Sequence, residues 1–201
     1  VFVASALSSR IFALVVTFFA QPLINSNKLL VLQYLSARYA VSLSSATFFM
    51  VARSGMILML YVIILPSIGK IITRRNPIST QRKDLDLARA SHILWSLGWT
   101  LFGLVPSVAL AMVSLTMTAM CQAAGLLTRS LLVSLLPQDH VARVNGVIGL
   151  FEAISNVVGS PVLAEAFAIG LSRAGWLIGL PFLLAGFMSA IAVVIMVSIS
   201  V

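Results

Sequence analysis

Long apolar runs separated by short polar breaks dominate this 201-residue chain. A helix needs about 20 apolar residues to cross a hydrocarbon core ~30 Å thick. No water is present there to satisfy the backbone, so helices are the expected spanning form. Six stretches fit: residues 11–35, 44–66, 87–106, 108–136, 144–170 and 176–200. Runs such as MILMLYVIIL (56–65) and IAVVIMV (191–197) do not alternate in polarity, which argues against a transmembrane barrel. The pattern predicts an all-α integral membrane fold with six transmembrane helices. These form one domain over residues 1–201, with no segment left for an extramembrane domain.

Polar residues inside the runs carry the functional information. Asp, Lys or Arg at the centre of a spanning helix costs roughly 2.5–3.5 kcal/mol on insertion scales. Such groups face a cavity, a partner charge or a pathway. Arg53 lies about ten residues from the outer end of the second stretch, and Glu152 about nine from the inner end of the fifth. At ~1.5 Å per residue both count to near the midplane, and the two are expected to share one electrostatically coupled polar zone. Arg129 lies nearer the inner end of the fourth stretch, where snorkelling to the headgroups competes with a functional role.

Helical spacing turns these residues into faces. Asn145, Gly149, Glu152, Asn156 and Gly159 form a stripe on the fifth stretch, opposite Val147, Ile154, Val158 and Val162. Thr118, Gln122, Gly125 and Arg129 do so on the fourth, and Thr17, Gln21, Asn25 and Lys28 on the first, where Pro22 is expected to kink the helix. Lys28 is expected to snorkel outward. For Gln122 and Asn156, simple helix packing weighs as much as cavity lining, and small residues such as Gly149 and Ala153 suit close packing alone. The third and sixth stretches hold no charge, Asn or Gln between residues 93 and 105 or 176 and 197, and read as lipid-facing periphery.

Composition supports the membrane class. Only 9% of residues are charged, 60% are hydrophobic and the mean hydropathy is +1.09, against about 25% charged in soluble domains. The net charge of +8 could suit phosphates, but the apolar runs between the charges exclude nucleic acid as the partner. Cytoplasmic loops of membrane proteins collect Lys and Arg. The longest loop, SIGKIITRRNPISTQRKDLD (67–86), carries Lys70, Arg74, Arg75, Arg82 and Lys83. Placing it in the cytoplasm puts Arg10, Arg89 and Arg143 on the same side, so eight of the thirteen basic residues are inside. Arg38 and Arg173 fall outside, and both termini are cytoplasmic.

Soluble-enzyme chemistry finds no foothold. There is no phosphate-binding glycine loop and no HExxH, and the paired carboxylates Asp84 and Asp86 lie in the basic loop. No metal site or cofactor is expected. His92 and His140 sit at expected cytoplasmic helix ends, ordinary solvated positions. The lone Cys121 excludes an internal disulfide and reads as a small packing residue. No charged n-region with a cleavage site opens the chain, so a signal peptide is not expected. The first residue is Val1 rather than Met, which raises the expectation of a fragment.

Four stretches are similar to the C-terminal six-helix half of fungal major facilitator superfamily transporters: LLVLQYLSARYAVS (29–42), RKDLDLARAS (82–91), RSLLVSLLPQDHVARVNGVIGLFEAISNVVGSPVLAEAF (129–167) and GWLIGLPFLLAGF (175–187). The resemblance extends over nearly the whole chain. It implies half of a twelve-helix fold, each half built from two inverted three-helix repeats around a central path. The first, second, fourth and fifth helices of a half flank that path, and the third and sixth lie outside it. The missing partner would be the N-terminal six-helix half. The function implied is secondary active transport of a small molecule through the lipid bilayer, as a proton-coupled carrier, with export as one direction. Substrate or proton pathway candidates are Arg53, Glu152, Arg129, Asn156, Gln122, Asn25, Gln21 and Asn145, with Glu152 the proton-responsive group. The alternative is a truncated, non-transporting membrane protein or assembly partner. An intramembrane enzyme comes third, because no helix-borne Ser–His or acidic pair supports it.

Overall fold

The computed structural model describes residues 21–22, 24–67, 70, 80–135, 138–173 and 175–198. Every element among them is helical. The first ten residues of the 11–35 stretch, with Thr17, lie outside the described residues, as do Arg10, Arg74, Arg75 and Pro137.

A tight turn at Asn27, with its N–H on the Ile24 carbonyl, precedes α1 (Lys28–Tyr39), which closes on Ala40 in the left-handed region at φ 53°. Ser42 caps α2 (Leu43–Met59), its hydroxyl accepting from the Ser45 N–H at 3.2 Å. This satisfies one of the donors a helix start leaves open. The α2 helix continues through one wide turn at Leu60–Ile64 and runs on to Ser67. Next come α3 (Thr80–Leu104) and α4 (Val108–Met120), the latter capped by Ser107. A tight 3₁₀ turn at Cys121–Ala123 leads into α5 (Ala124–Leu135). Then come α6 (Gln138–Arg173), which accommodates Pro161, a 3₁₀ turn at Gly175–Gly179, and α7 (Leu180–Ser198).

Among the described residues, four helical stretches are long and apolar enough to cross a membrane: Leu43–Ser67, Val108–Ser130, His140–Arg173 and Gly175–Val197. The stretch expected at 87–106 lies in α3, which is 25 residues long but diluted by Ser91, His92, Ser96 and Thr100. The stretch expected as one helix over 108–136 is broken at Cys121–Ala123.

The core lies where α3 and α7 pack along each other and against α1. Trp95, Trp99 and Phe102 of α3 meet Phe182 and Ala185 of α7 and Tyr34 and Leu35 of α1. Trp99 stacks on Phe182 with ring centroids 5.6 Å apart and planes 13° apart. Tyr34 meets Phe182 edge-on at 4.7 Å. Close helix approach depends on glycine. A Cβ on Gly179 would collide with the Gly103 backbone, and one on Gly186 with Thr100.

Polar side chains of α1 finish the end of α3. The Tyr34 hydroxyl donates to the carbonyl of Phe102 at 3.0 Å, and Arg38 donates to those of Gly103 and Leu104 at 2.9 and 3.0 Å. Tyr39 donates to the carbonyl of Val105 at 2.7 Å. The last carbonyls of a helix have no partner within it, and a cation there also complements the helix dipole.

The third and sixth stretches are therefore more than periphery. Each carries two faces at helical spacing. On α3, Ala88, His92, Trp95, Trp99 and Phe102 are buried, while Ile93, Leu94, Leu97, Leu101 and Leu104 are exposed. On α7, Phe182, Ala185, Ser189, Ala192 and Met196 are buried, and Leu184, Phe187, Ile191, Val194 and Val197 are exposed. One face is the core of the bundle and the other is an apolar surface suited to lipid.

Candidate functional site

Three polar groupings lie among the helices, and one of them is built around Arg53. This residue sits on the inner face of α2 with 6% of its surface exposed. Its Nη2 approaches Gln122 Oε1 at 3.5 Å, the long end of hydrogen-bond range, and its Nε is buried with no hydrogen-bond partner. Gln122 in turn reaches Asn25 Oδ1 with its Nε2, also at 3.5 Å.

The α4–α5 break makes this geometry. In the tight turn the Gln122 carbonyl leaves the helical ladder and accepts from the Tyr61 hydroxyl at 3.2 Å. Tyr61 itself sits in the wide turn of the second stretch. Two departures from regular helix thus face each other at one polar cluster, a frequent arrangement at functional sites. Lys28, expected to snorkel outward, is half-buried three residues beyond Asn25.

Nearby, Gln21 is buried with its amide nitrogen 3.5 Å from His92 Nε2. It packs where a Cβ on Gly125 would meet its Oε1. His92 is fully buried, not solvated as its place near a helix end implied, and lies beside Trp95 with ring centroids 5.9 Å apart. Its own carbonyl accepts from Ser189 on α7. Asn27, also fully buried, donates from Nδ2 to the Pro181 carbonyl at 3.2 Å, tying the turn before α1 to the start of α7.

The third grouping joins α5 to α6. Arg129 Nε donates to Asn145 Oδ1 at 3.1 Å, beside an open cleft of about 520 Å³ lined by Leu126, Ser130 and Val133. Farther along α6, Glu152 is half-buried and Asn156 exposed. Arg53 and Glu152 form no ion pair, and among the described residues the pair recorded is Arg89–Asp86 at 3.3 Å. The structure thus unites Arg53 with Gln122 and Asn25, Arg129 with Asn145, and Gln21 with His92. Glu152 and Asn156 stand apart on α6. Thr118 belongs to none of these: its hydroxyl bonds back to Leu115, and its methyl packs where Gly98 lacks a Cβ.

Comparison with known proteins bears on what these groups serve. The chain is 30% identical over 179 residues, 89% of its length, to the MFS-type transporter aprT of Aspergillus flavus. It is 24% identical over 156 residues, 77% of its length, to the MFS-type transporter avaK of Aspergillus versicolor. The chain is a relative of the major facilitator transporters. It spans about a third of the length of these relatives, 35% and 34% respectively. No family model matches the chain, and no solved structure matches it. With its long apolar helices, this facilitator relative is a multi-pass membrane protein.

The site residues that sequence reasoning missed are Lys28 as a member of the Arg53 cluster, Tyr61 and His92. Lys28 already lay on the Gln21–Asn25 stripe, so its helical phase was the available signal. His92 and Tyr61 carried none, since their burial depends on neighbouring helices.

Proposed function

We propose that this chain forms the C-terminal six-helix half of a major facilitator-type carrier and supplies one wall of its path for a small molecule. The observation that carries this reading is the buried Arg53–Gln122–Asn25 cluster. It lies where the first, second and fourth stretches meet, the helices that flank the path in such a fold. The fifth, α6, adds Asn145, Glu152 and Asn156. A buried arginine without an acidic partner is costly in a purely structural bundle but is expected on a solute pathway.

Transport is secondary and active, coupled to protons through Glu152. An ionisable side chain within a spanning stretch is a functional group by default, and Glu152 lies half-buried on the fifth of these stretches. Lys70 and the rest of the basic loop lie on the cytoplasmic side, as do both termini.

Flux measurements on the full-length natural protein in sealed proteoliposomes test this. An imposed pH gradient should accelerate solute movement, and Glu152→Gln should abolish that acceleration while leaving the protein folded. Flux indifferent to the gradient in the unaltered protein would reject proton coupling. Absence of any flux above protein-free vesicles, across a broad solute panel, would reject transport.

A further inference from the structure

A buried cation lies among the helices with no carboxylate paired to it among the described residues. Arg53 is 94% buried by its 6% exposure. A guanidinium has five N–H donors, and the side-chain acceptor recorded for this one is Gln122 Oε1 at 3.5 Å. The Nε is buried and unpartnered. Lys28, half-buried and three residues beyond Asn25, places a second positive charge about one helical turn from that side chain. Among the described residues, no carboxylate pairs with either. The whole chain has five acidic residues, of which only Glu152 and Glu165 fall within the expected spanning stretches, and both belong to α6.

The amide groups beside Arg53 form one loosely held chain. Gln122 Oε1 is turned to Arg53 and its Nε2 to Asn25, both at the limiting distance of 3.5 Å. Lys28, Asn25 and Gln122 are each half-buried, so the cluster has an open side. An oxyanion entering from that side would take guanidinium N–H donors that Gln122 does not use, in a forked pair, with the Lys28 ammonium as a second cation.

We propose that this cluster is an anion site, and that the solute handled by the carrier bears a carboxylate or comparable acidic group that docks on Arg53 and Lys28. The inference rests on the transport reading above. Arg53 counts to the middle of its stretch, which places the site away from lipid headgroups and assigns it to a solute.

The test uses the full-length natural protein in nanodiscs of phosphatidylcholine, which supplies no anionic lipid. Thermal unfolding is followed at fixed ionic strength with benzoate and succinate, and with benzamide and succinamide as neutral counterparts. A ligand bound to the native state raises the midpoint in proportion to its occupancy. An acid should stabilise the protein where its amide does not. Arg53→Gln and Lys28→Gln should each weaken the apparent affinity by about tenfold or more, and Arg53→Lys should retain part of it. Lys28→Gln, at a half-buried position, keeps the test decisive if Arg53→Gln does not fold. Equal stabilisation by acids and amides, or an acid response unchanged in Lys28→Gln, would overturn the proposal. Loss of the benzoate response on adding phosphatidylglycerol would overturn it too, assigning the cations to a headgroup. Acid binding without flux of any solute would sink the transport reading and leave the anion site standing. Flux of neutral solutes without acid binding would do the reverse.

Discussion

Replacing Arg53 by Gln should do more than delete a charge, because the guanidinium and Gln122 hold each other in place at the α4–α5 break. Arg53→Gln and Gln122→Leu, measured singly and together by thermal unfolding of the full-length protein, should be non-additive by about 0.5–3 kcal/mol. Additive losses would show that the contact carries no energy. A second residue-scale expectation concerns Tyr34, which donates to two carbonyls at the end of α3. Tyr34→Phe should cost about 0.5–1.5 kcal/mol in the same assay, and no loss would mean that other donors take over those carbonyls. Sequence reading found Arg53, Gln122 and Asn25 because polar atoms in an apolar run are conspicuous, and helical phase grouped them by face. It could not find the pairings, which depend on how helices rotate against one another. Depth put Arg53 and Glu152 in one zone but gave no sign of the Gln122 contact, which forms beside the turn at Cys121–Ala123.

At the scale of elements, the α3–α7 seam rests on close backbone approach at Gly103 and Gly179. Gly179→Ala should be destabilising by about 1–3 kcal/mol, since the added methyl meets backbone that cannot turn aside. Gly55 on α2 has nothing within 4 Å of an added Cβ, so Gly55→Ala should be neutral or stabilising by up to ~1 kcal/mol. Equal responses at the two positions, measured as unfolding midpoints, would contradict this seam. Four of the six expected stretches match long apolar helices among the described residues, and the second agrees within a residue at each end, 44–66 against Leu43–Ser67. The inner face of α3 was not legible. Its buried Trp95, Trp99 and Phe102 and its exposed Leu94, Leu97 and Leu101 are all apolar, and a polarity pattern cannot separate lipid contact from core contact. The breaks at Asn27 and Cys121–Ala123 escaped for a related reason. Neither follows a glycine or proline at the position itself, and Asn27 is held by Pro181 from a distant part of the chain.

For the whole molecule, the separation of wet and dry helices is the claim on which the transport reading rests. Orientation has its own check. A cysteine at Thr80, beside the basic loop, should resist membrane-impermeant reagent added outside sealed cells, and one at Ser172 should react; the opposite result would invert the topology. The separation itself is read most directly by a charged thiol reagent. In the full-length protein with Cys121 replaced, single cysteines would be placed at Asn25, Gln122 and Asn156 on the polar faces. Further cysteines at Leu97 and Phe187 would probe the exposed apolar faces of α3 and α7. A negatively charged methanethiosulfonate, which reacts in water and not in lipid, should modify the first three and spare the last two. Modification at Leu97 and Phe187, with Asn25, Gln122 and Asn156 unreactive from both sides of the membrane, would contradict the account.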